Sequence, residues 1–389
     1  MTDPRAEPEL LLCVARRSLD KALIARLRAL AAQDVDWDYL ITLASDHGLL
    51  PILGTHVSAH CHDIVPSHIL DRLKKELFNN RHSNLYLLRE LLRVLKLFRA
   101  EGIKVLSFKG PILGEIVYGD LGLRQAGDLD LLIAKNDFSP ACELLRSAGY
   151  LMEPQLTAAQ QSSHLSFHCE IQFAHHDQFS VVDLHWGITP KTFPLAISAD
   201  QLLSRSKTIT LASHAIETFA NEDLVLYLCI HGAKHYWRRL EWVAAITELL
   251  RAAADLNWSL IVRRAKEARS ERILCLALML TETLFGVEMP EEVTELMKKQ
   301  KALRPTAHVL SERLRRGNAA PPSQIEMFRW NLQFMDRRSD AITSLLRSVL
   351  VPTISDWRAI SLPALLYPLY YGFRPIRLLS KYGRRRADE

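Results

Sequence analysis

The chain has 389 residues, 48% hydrophobic and 24% charged, with a formal net charge of +5. That balance excludes a disordered or fibrous protein and leaves room for two or three domains. Segment 374–389 sets six basic residues against two acidic ones, so everything before it totals about +1, which excludes a basic nucleic-acid-binding fold and disfavours long nucleic acids as partners.

The six cysteines (Cys13, Cys61, Cys142, Cys169, Cys229, Cys275) form no CxxC pair and read as core residues in a reducing compartment. The N-terminal stretch shows no apolar run of signal-peptide length, and no uninterrupted apolar stretch reaches the length of a membrane span. LPALLYPLYYGF (362–373) is too short and is interrupted by Pro363 and Pro368. The expected location is the cytoplasm.

The first hundred residues read as helices. WDYLITLASDHGLLPIL (37–53) puts Leu40, Leu43 and Ala44 on one face with a stop at Gly48, and 74–102 is a long amphipathic helix ending at Gly102. The period then changes. IKVLSF (103–108) predicts a strand, PILGEIVYGD (111–120) a helix with Pro111 at its first position, and DLDLLI (128–133) a second strand. SPACELLRSAGY (139–150) predicts a helix capped by Ser139 and Gly149.

HLSFHCEIQFAH (164–175) alternates, with Leu165, Phe167, Cys169, Ile171 and Phe173 on one face. A polar turn, HHDQ (175–178), leads into FSVVDLHWGI (179–188), so the pair predicts a hairpin. Helices return over 222–255 and 259–286, RRGNAAPPSQ (315–324) reads as a linker, and the remaining pattern fits no single class.

The chemistry concentrates in RQAGDLDLLI (124–133). A two-residue period sets Asp128 and Asp130 on one face of a strand, and in VVDLHW it sets Asp183 beside His185. Carboxylates so placed repel one another unless a cation sits between them. Asp128, Asp130 and Asp183 on neighbouring strands suit two magnesium ions, with manganese as a substitute, carrying the phosphates of an NTP. Gly110 lets the backbone of a helix start approach an anion, Lys109 adds a mobile charge, Arg124 is a candidate phosphate clamp, and His185 is placed to orient Asp183.

Strand, Lys-Gly, helix, D-x-D strand and distal acidic strand in that order resemble the polymerase-β-type nucleotidyltransferase superfamily. More closely, the chain is similar to a bacterial nucleotidyltransferase family. WDYLITLASDHGLLPIL, LSFKGPILGEIVYGDLGLRQAGDLDLLI, VDLHWGI and CIHGAKHYWRRLEWV carry that likeness, with LPALLYPLYYGFRPIRLLSKY a looser match. The resemblance implies that Asp128 and Asp130 ligate metal, that Asp183 shares a metal and helps deprotonate an acceptor hydroxyl, and that Lys109 and Gly110 belong to the phosphate loop.

It also implies an α+β fold, a small mixed-sheet nucleotidyltransferase core over 100–190 flanked by helical domains. These are an N-terminal helical region (1–99), a helical domain (191–314), and a linker with a C-terminal helical, basic segment (315–389). The implied activity moves NMP from an NTP to an unidentified acceptor and releases pyrophosphate. The alternatives are a degenerate nucleotide-binding or interaction module and a γ-phosphotransferase using the same residues.

Three departures stand out. Pro111 replaces the usual hydroxyl residue, Gly110 and Asp128 are widely separated, and Ala245 occupies a position where an aspartate is expected.

Other clusters read more simply. His231 and His235 have the i, i+4 spacing of zinc ligands but lack the glutamate of a metalloprotease, so packing, or a polar wall with Lys234, Arg238 and Arg239, is the preferred reading. His60, Cys61, His62 and Asp63 read as an exposed loop. His175 and His176 sit in the hairpin turn. YYGFRPIRLLSKYGRRR (370–386) reads as a helix end packed on the domain, with weak peripheral membrane contact as the alternative.

Overall fold

The computed structural model describes residues 5–176, 180–253, 255–317 and 320–385. Five helices come first: α1 (Ala6–Val14), α2 (Lys21–Ala31), α3 (Trp37–Asp46), α4 (Leu50–His60) and α5 (Ser67–Ala100). Asp20 and Asp36 cap α2 and α3 by accepting the N–H groups of Leu23 and Tyr39. Gly48, at φ +73°, turns α3 into α4 in a conformation other residues avoid. The long helix α5 starts seven residues earlier than its apolar spacing suggested, directly after Pro66.

The central module runs β1 (Val105–Ser107), α6 (Gly110–Tyr118), β2 (Leu129–Ile133), α7 (Phe138–Ser147), β3 (Tyr150–Glu153), α8 (Ala158–Phe167), β4 (Glu170–His175) and β5 (Val181–His185). Its sheet has the order β1-β2-β5-β4-β3 and is mixed: β2 and β5 are parallel, every other neighbouring pair antiparallel. A small hairpin of β6 (Lys207–Leu211) and β7 (His214–Thr218) follows α9 (Ala199–Ser204).

Helices complete the chain: α10 (Asn221–Lys234), α11 (Leu240–Ala252), α12 (Trp258–Glu267), α13 (Glu271–Phe285), α14 (Glu291–Lys299) and α15 (Arg304–Arg315), then α16 (Gln324–Phe334), α17 (Arg338–Leu350), α18 (Ile354–Ala359) and α19 (Leu369–Arg385). The architecture is α+β, a mixed sheet with helices on either side.

Two cores hold it together. One joins the N-terminal helices to the later bundle, burying Leu10, Leu53, Val225, Leu276 and Leu310 in one continuous cluster. The other lies between the sheet and α5 and α7, where Leu91, Phe98 and Ala141 meet Leu129, Leu131, Val182 and Leu184. Each fully buried side chain of this size stabilises the fold by about 1.5–3 kcal/mol.

Several expectations need correction. Residues 158–167 are helical, begun by a capping box in which Thr157 and Gln160 exchange hydrogen bonds, so the alternation over 164–169 belongs to a helix end and the strand starts only at Glu170. Ser139 is not a cap: a 3-10 turn over Lys135–Asp137 runs straight into α7 and leaves Asp137 at the N-cap position. The stretch 222–255 is two helices, because Tyr236 and Trp237 take φ of 57° and 50° and reverse the chain. Trp237 is buried against Gly232, where an added Cβ would lie 2.2 Å from the indole ring.

Cys61 is fully buried, as are the other five cysteines, while the neighbouring Asp63 pairs with Arg28 at 2.7 Å. Residues 177–179 of the hairpin turn, 318–319 of the linker and 386–389 of the tail lie outside the described residues.

Candidate active site

The site forms where β2 and β5 lie side by side. Their register pairs Asp130 with Asp183 and Leu132 with His185. Leu129 and Leu131 of β2, with Val182 and Leu184 of β5, point into the sheet–helix core, which leaves the polar residues together on the opposite face. The antiparallel pairing of β4 then sets Gln172 beside Asp183 and Glu170 beside His185.

Asp130 is the centre of the cluster and is 1% exposed. Its Oδ1 accepts a hydrogen bond from Lys109 Nζ at 2.7 Å and lies 3.2 Å from His185 Nε2, so His185 meets Asp130 and not Asp183, the acid it was expected to orient. Burial alone would raise the Asp130 pKa, but Lys109 and His185 hold the carboxyl far below the usual range. Lys109 is shifted the other way: burial opposes its charge, yet Asp130 drives its pKa above that of a free lysine. The second oxygen of Asp130, Oδ2, is buried with no hydrogen-bond partner. A buried carboxylate oxygen left so is costly unless something positive reaches it.

Around this centre the acids are held apart in charge state. Burial, with Asp130 and Asp128 nearby, pushes Asp183 up to about 6, even though Gln172 Nε2 donates to it at 3.2 Å. Asp128 is raised for the same reasons. Glu170 behaves oppositely: burial would raise it, but His185, Lys234 and Lys109 bring it down to about 2. Lys234 Nζ lies 3.6 Å from Glu170 Oε2.

Two carboxylates and an imidazole come together here, and Asp128 does not enter the group. One ligand atom each from Asp130, Asp183 and His185 falls within 4.8 Å of the others. Cys169, Glu170 and His185 meet the same distance test, with a soft sulfur donor in place of a second aspartate. The unpartnered Asp130 oxygen therefore favours the aspartate side.

The loop before the site is built around Gly110. Its φ is +56°, and an added Cβ would sit 2.7 Å from the Asp128 carbonyl oxygen, so the start of α6 can press against β2 only with glycine here. Arg124 braces this contact. Its Nε donates to Glu241 at 3.0 Å and its guanidinium to the Gly110 carbonyl at 3.1 Å, while Asn84 holds its own carbonyl at 2.9 Å. Both charged groups of this pair are nearly buried.

Sequence reading did not single out Glu170 or Glu241 for the site. The hairpin register would have found Glu170; Glu241 lies 117 residues from its partner in sequence and carries no local signal. The ring centroids of His231 and His235 are 4.7 Å apart, each also close to Trp242, and burial lowers His235 to about 4. Among the described residues neither histidine enters a group able to hold metal. Ala245 is buried in the helical core.

The sequence profile of the family described as "uncharacterised nucleotidyltransferase" matches residues 33–286, well over half of the chain. The chain belongs to that family. The match covers the sheet, Asp128, Asp130, Asp183 and α3 to α13, so the Gly110 loop and its Arg124–Glu241 brace both lie within the family's span.

Two solved structures are similar at low identity. A lincosamide antibiotic adenylyltransferase, LnuA, bound to lincomycin, is 15% identical with a TM-score of 0.26, over 36% of this chain and 83% of its own. The antibiotic-resistance factor ANT(2'')-Ia is 10% identical with a TM-score of 0.28, over 56% of this chain and 93% of its own. No curated protein matches the chain. Among the described residues of this nucleotidyltransferase family member, no helix is long and apolar enough to cross a membrane.

Proposed function

We propose that the chain is a metal-dependent nucleotidyltransferase that transfers NMP from an NTP to an acceptor hydroxyl and releases pyrophosphate. The observation that carries this reading is the buried, unpartnered Oδ2 of Asp130, flanked by Asp128 and by Asp183 on the adjoining strand. Asp128, Asp130 and Asp183 would hold two magnesium ions, with manganese as the substitute. When bound, these supply neutralisation of the triphosphate charge and polarisation of the α-phosphoryl group.

The chain's own residues do the rest. Lys109 keeps Asp130 ionised and presents a positive charge at the phosphate loop, and Gly110 admits phosphate oxygens to the free N–H groups at the start of α6. Arg124, anchored on Glu241, holds that loop in place and keeps part of its charge beside the phosphates. His185 fixes the orientation of Asp130.

Asp183 takes the proton of the acceptor hydroxyl as the acceptor oxygen bonds to the α-phosphorus. The bond from that phosphorus to the bridging oxygen breaks, and pyrophosphate leaves with the electron pair. The near-neutral body of the fold favours a small or hydroxyl-bearing acceptor over long nucleic acid, and the cytoplasm is the proposed compartment.

Two observations favour a second reading. Lys109 already sits on Asp130 at 2.7 Å, and Pro111 removes a hydroxyl from the loop, as in a module that binds nucleotide without turning it over.

Calorimetric titration of each NTP, with and without magnesium, into the wild type and an Asp128→Asn/Asp130→Asn variant tests the site. Magnesium-dependent binding that the double variant loses is expected; binding that survives both substitutions would overturn the assignment. Product analysis with candidate acceptors separates the readings: pyrophosphate marks nucleotidyl transfer, NDP marks γ-phosphoryl transfer, and neither marks the module.

A further inference from the structure

Seventeen large hydrophobic side chains are exposed among the described residues, and thirteen of them lie between Phe328 and Leu379. They are not scattered. On α17, Ile342, Leu345, Leu346 and Val349 follow the i, i+3, i+4, i+7 spacing of one helical face, and every one of them faces solvent. On α19, Leu369, Ile376 and Leu379 form a second exposed stripe, and Leu365, just before it, is 94% exposed. The two helices are tied together, because Arg374 of α19 donates to the Ser348 carbonyl of α17 at 2.6 Å. Outward apolar stripes on adjoining helices are unusual for a free soluble surface.

The charge of this segment is equally one-sided. Residues 324–389 hold eleven Lys and Arg against six Asp and Glu, a net +5 that equals the charge of the whole chain, so residues 1–323 sum to zero. The acids of the described part are taken up internally. Glu326 accepts from Ser323, Asp336 from the N–H groups of Glu271 and Arg272, Asp340 pairs with Arg269, and Asp356 binds Arg374 and Arg377. Arg329, Arg337, Arg338 and Arg358 remain exposed.

We propose that the α17–α19 face docks on an anionic membrane surface, its leucine and isoleucine stripes entering the acyl boundary while the arginines meet lipid phosphates. Apolar residues on one side of a helix with cationic residues beside them are the composition that interfacial helices use. A second copy of the chain is disfavoured as the occupant, since it would bring the same positive charge to the interface. Nucleic acid offers no apolar region for the stripes.

The test is flotation of the full chain with vesicles of phosphatidylcholine alone and of phosphatidylcholine mixed with phosphatidylglycerol. Binding to the anionic vesicles at least about tenfold tighter than to the neutral ones is expected, weakening as salt is added. A Leu346→Ser/Ile376→Ser/Leu379→Ser variant should lose binding to both, with its folding checked by thermal melting. An Arg337→Glu/Arg338→Glu variant keeps the stripes and should lose only the anionic preference. The proposal fails if the folded wild type floats with neither vesicle, or if both variants float as the wild type does. It fails equally if ultracentrifugation finds a dimer that the serine variant dissociates while no vesicle is bound.

Discussion

At the scale of single residues, the Lys109–Asp130 pair makes the metal reading testable without an acceptor. Lys109 is 16% and Asp130 1% exposed, and removing one member of a buried pair strands the other. Lys109→Met should cost about 3–5 kcal/mol in urea unfolding without divalent ions. If cations bind as proposed, magnesium or manganese should recover a larger share of stability in this variant than in the wild type. Equal increments in both would count against the Asp130 site.

The histidines set a pH dependence. Burial lowers His168 and His235 to about 4, so each stays neutral in the fold while the unfolded chain takes up a proton below about 6.5. Their contribution is complete above pH 6.5 and is lost as pH falls toward 4, with a slope of up to about 1.4 kcal/mol per pH unit for each group. Asp183, raised to about 6, works against them over part of that window. Unfolding midpoints between pH 5 and 7 should fall toward acid, and His235→Gln should flatten the fall; an unchanged slope in that variant would refute the assignment.

What was legible at this scale was local. A two-residue period sufficed to place Asp130, Asp183 and His185 on one face, because sheet geometry turns spacing directly into facing, whereas Asp128 lies just before the strand. Arg124 was legible as a charge near the site, but not as a brace, because its partner arrives from a distant helix.

At the scale of elements, the Arg124–Glu241 contact couples the Gly110 loop to α11, two pieces of chain with separate local reasons to fold. Glu241→Gln is expected to destabilise by about 3–5 kcal/mol because it leaves a buried guanidinium without its counter-charge. The apolar pair Arg124→Met/Glu241→Leu should cost less than the two single changes added together. A double-mutant cycle measured by urea unfolding decides this, and strict additivity would mean that the contact contributes nothing.

Elements with a strong period, such as the strand from Leu129 and the helix end closed by Gly102, were readable in the sequence. Those decided by tertiary contact were not. The reversal at Tyr236–Trp237 exists because the indole packs on Gly232, and the helix at 158–167 begins at a capping box that lies ahead of the alternating stretch. The hairpin of β6 and β7 leaves alternate residues half-exposed or exposed along β6, so its apolar signal is weak.

For the molecule as a whole, the order of the strands in the sheet differs from their order in the chain. β5 is the last strand of the module to be made, yet it occupies the middle of the sheet, between β2 and β4. During synthesis Asp128 and Asp130 therefore emerge well before Asp183, with Lys109 already made but β5, which carries Asp183 and His185, still to come. Closing that long-range, parallel contact is the slow kind of folding event. Asp130 and Asp183 come side by side only when the centre of the sheet is complete, so a nascent or half-folded chain holds them apart.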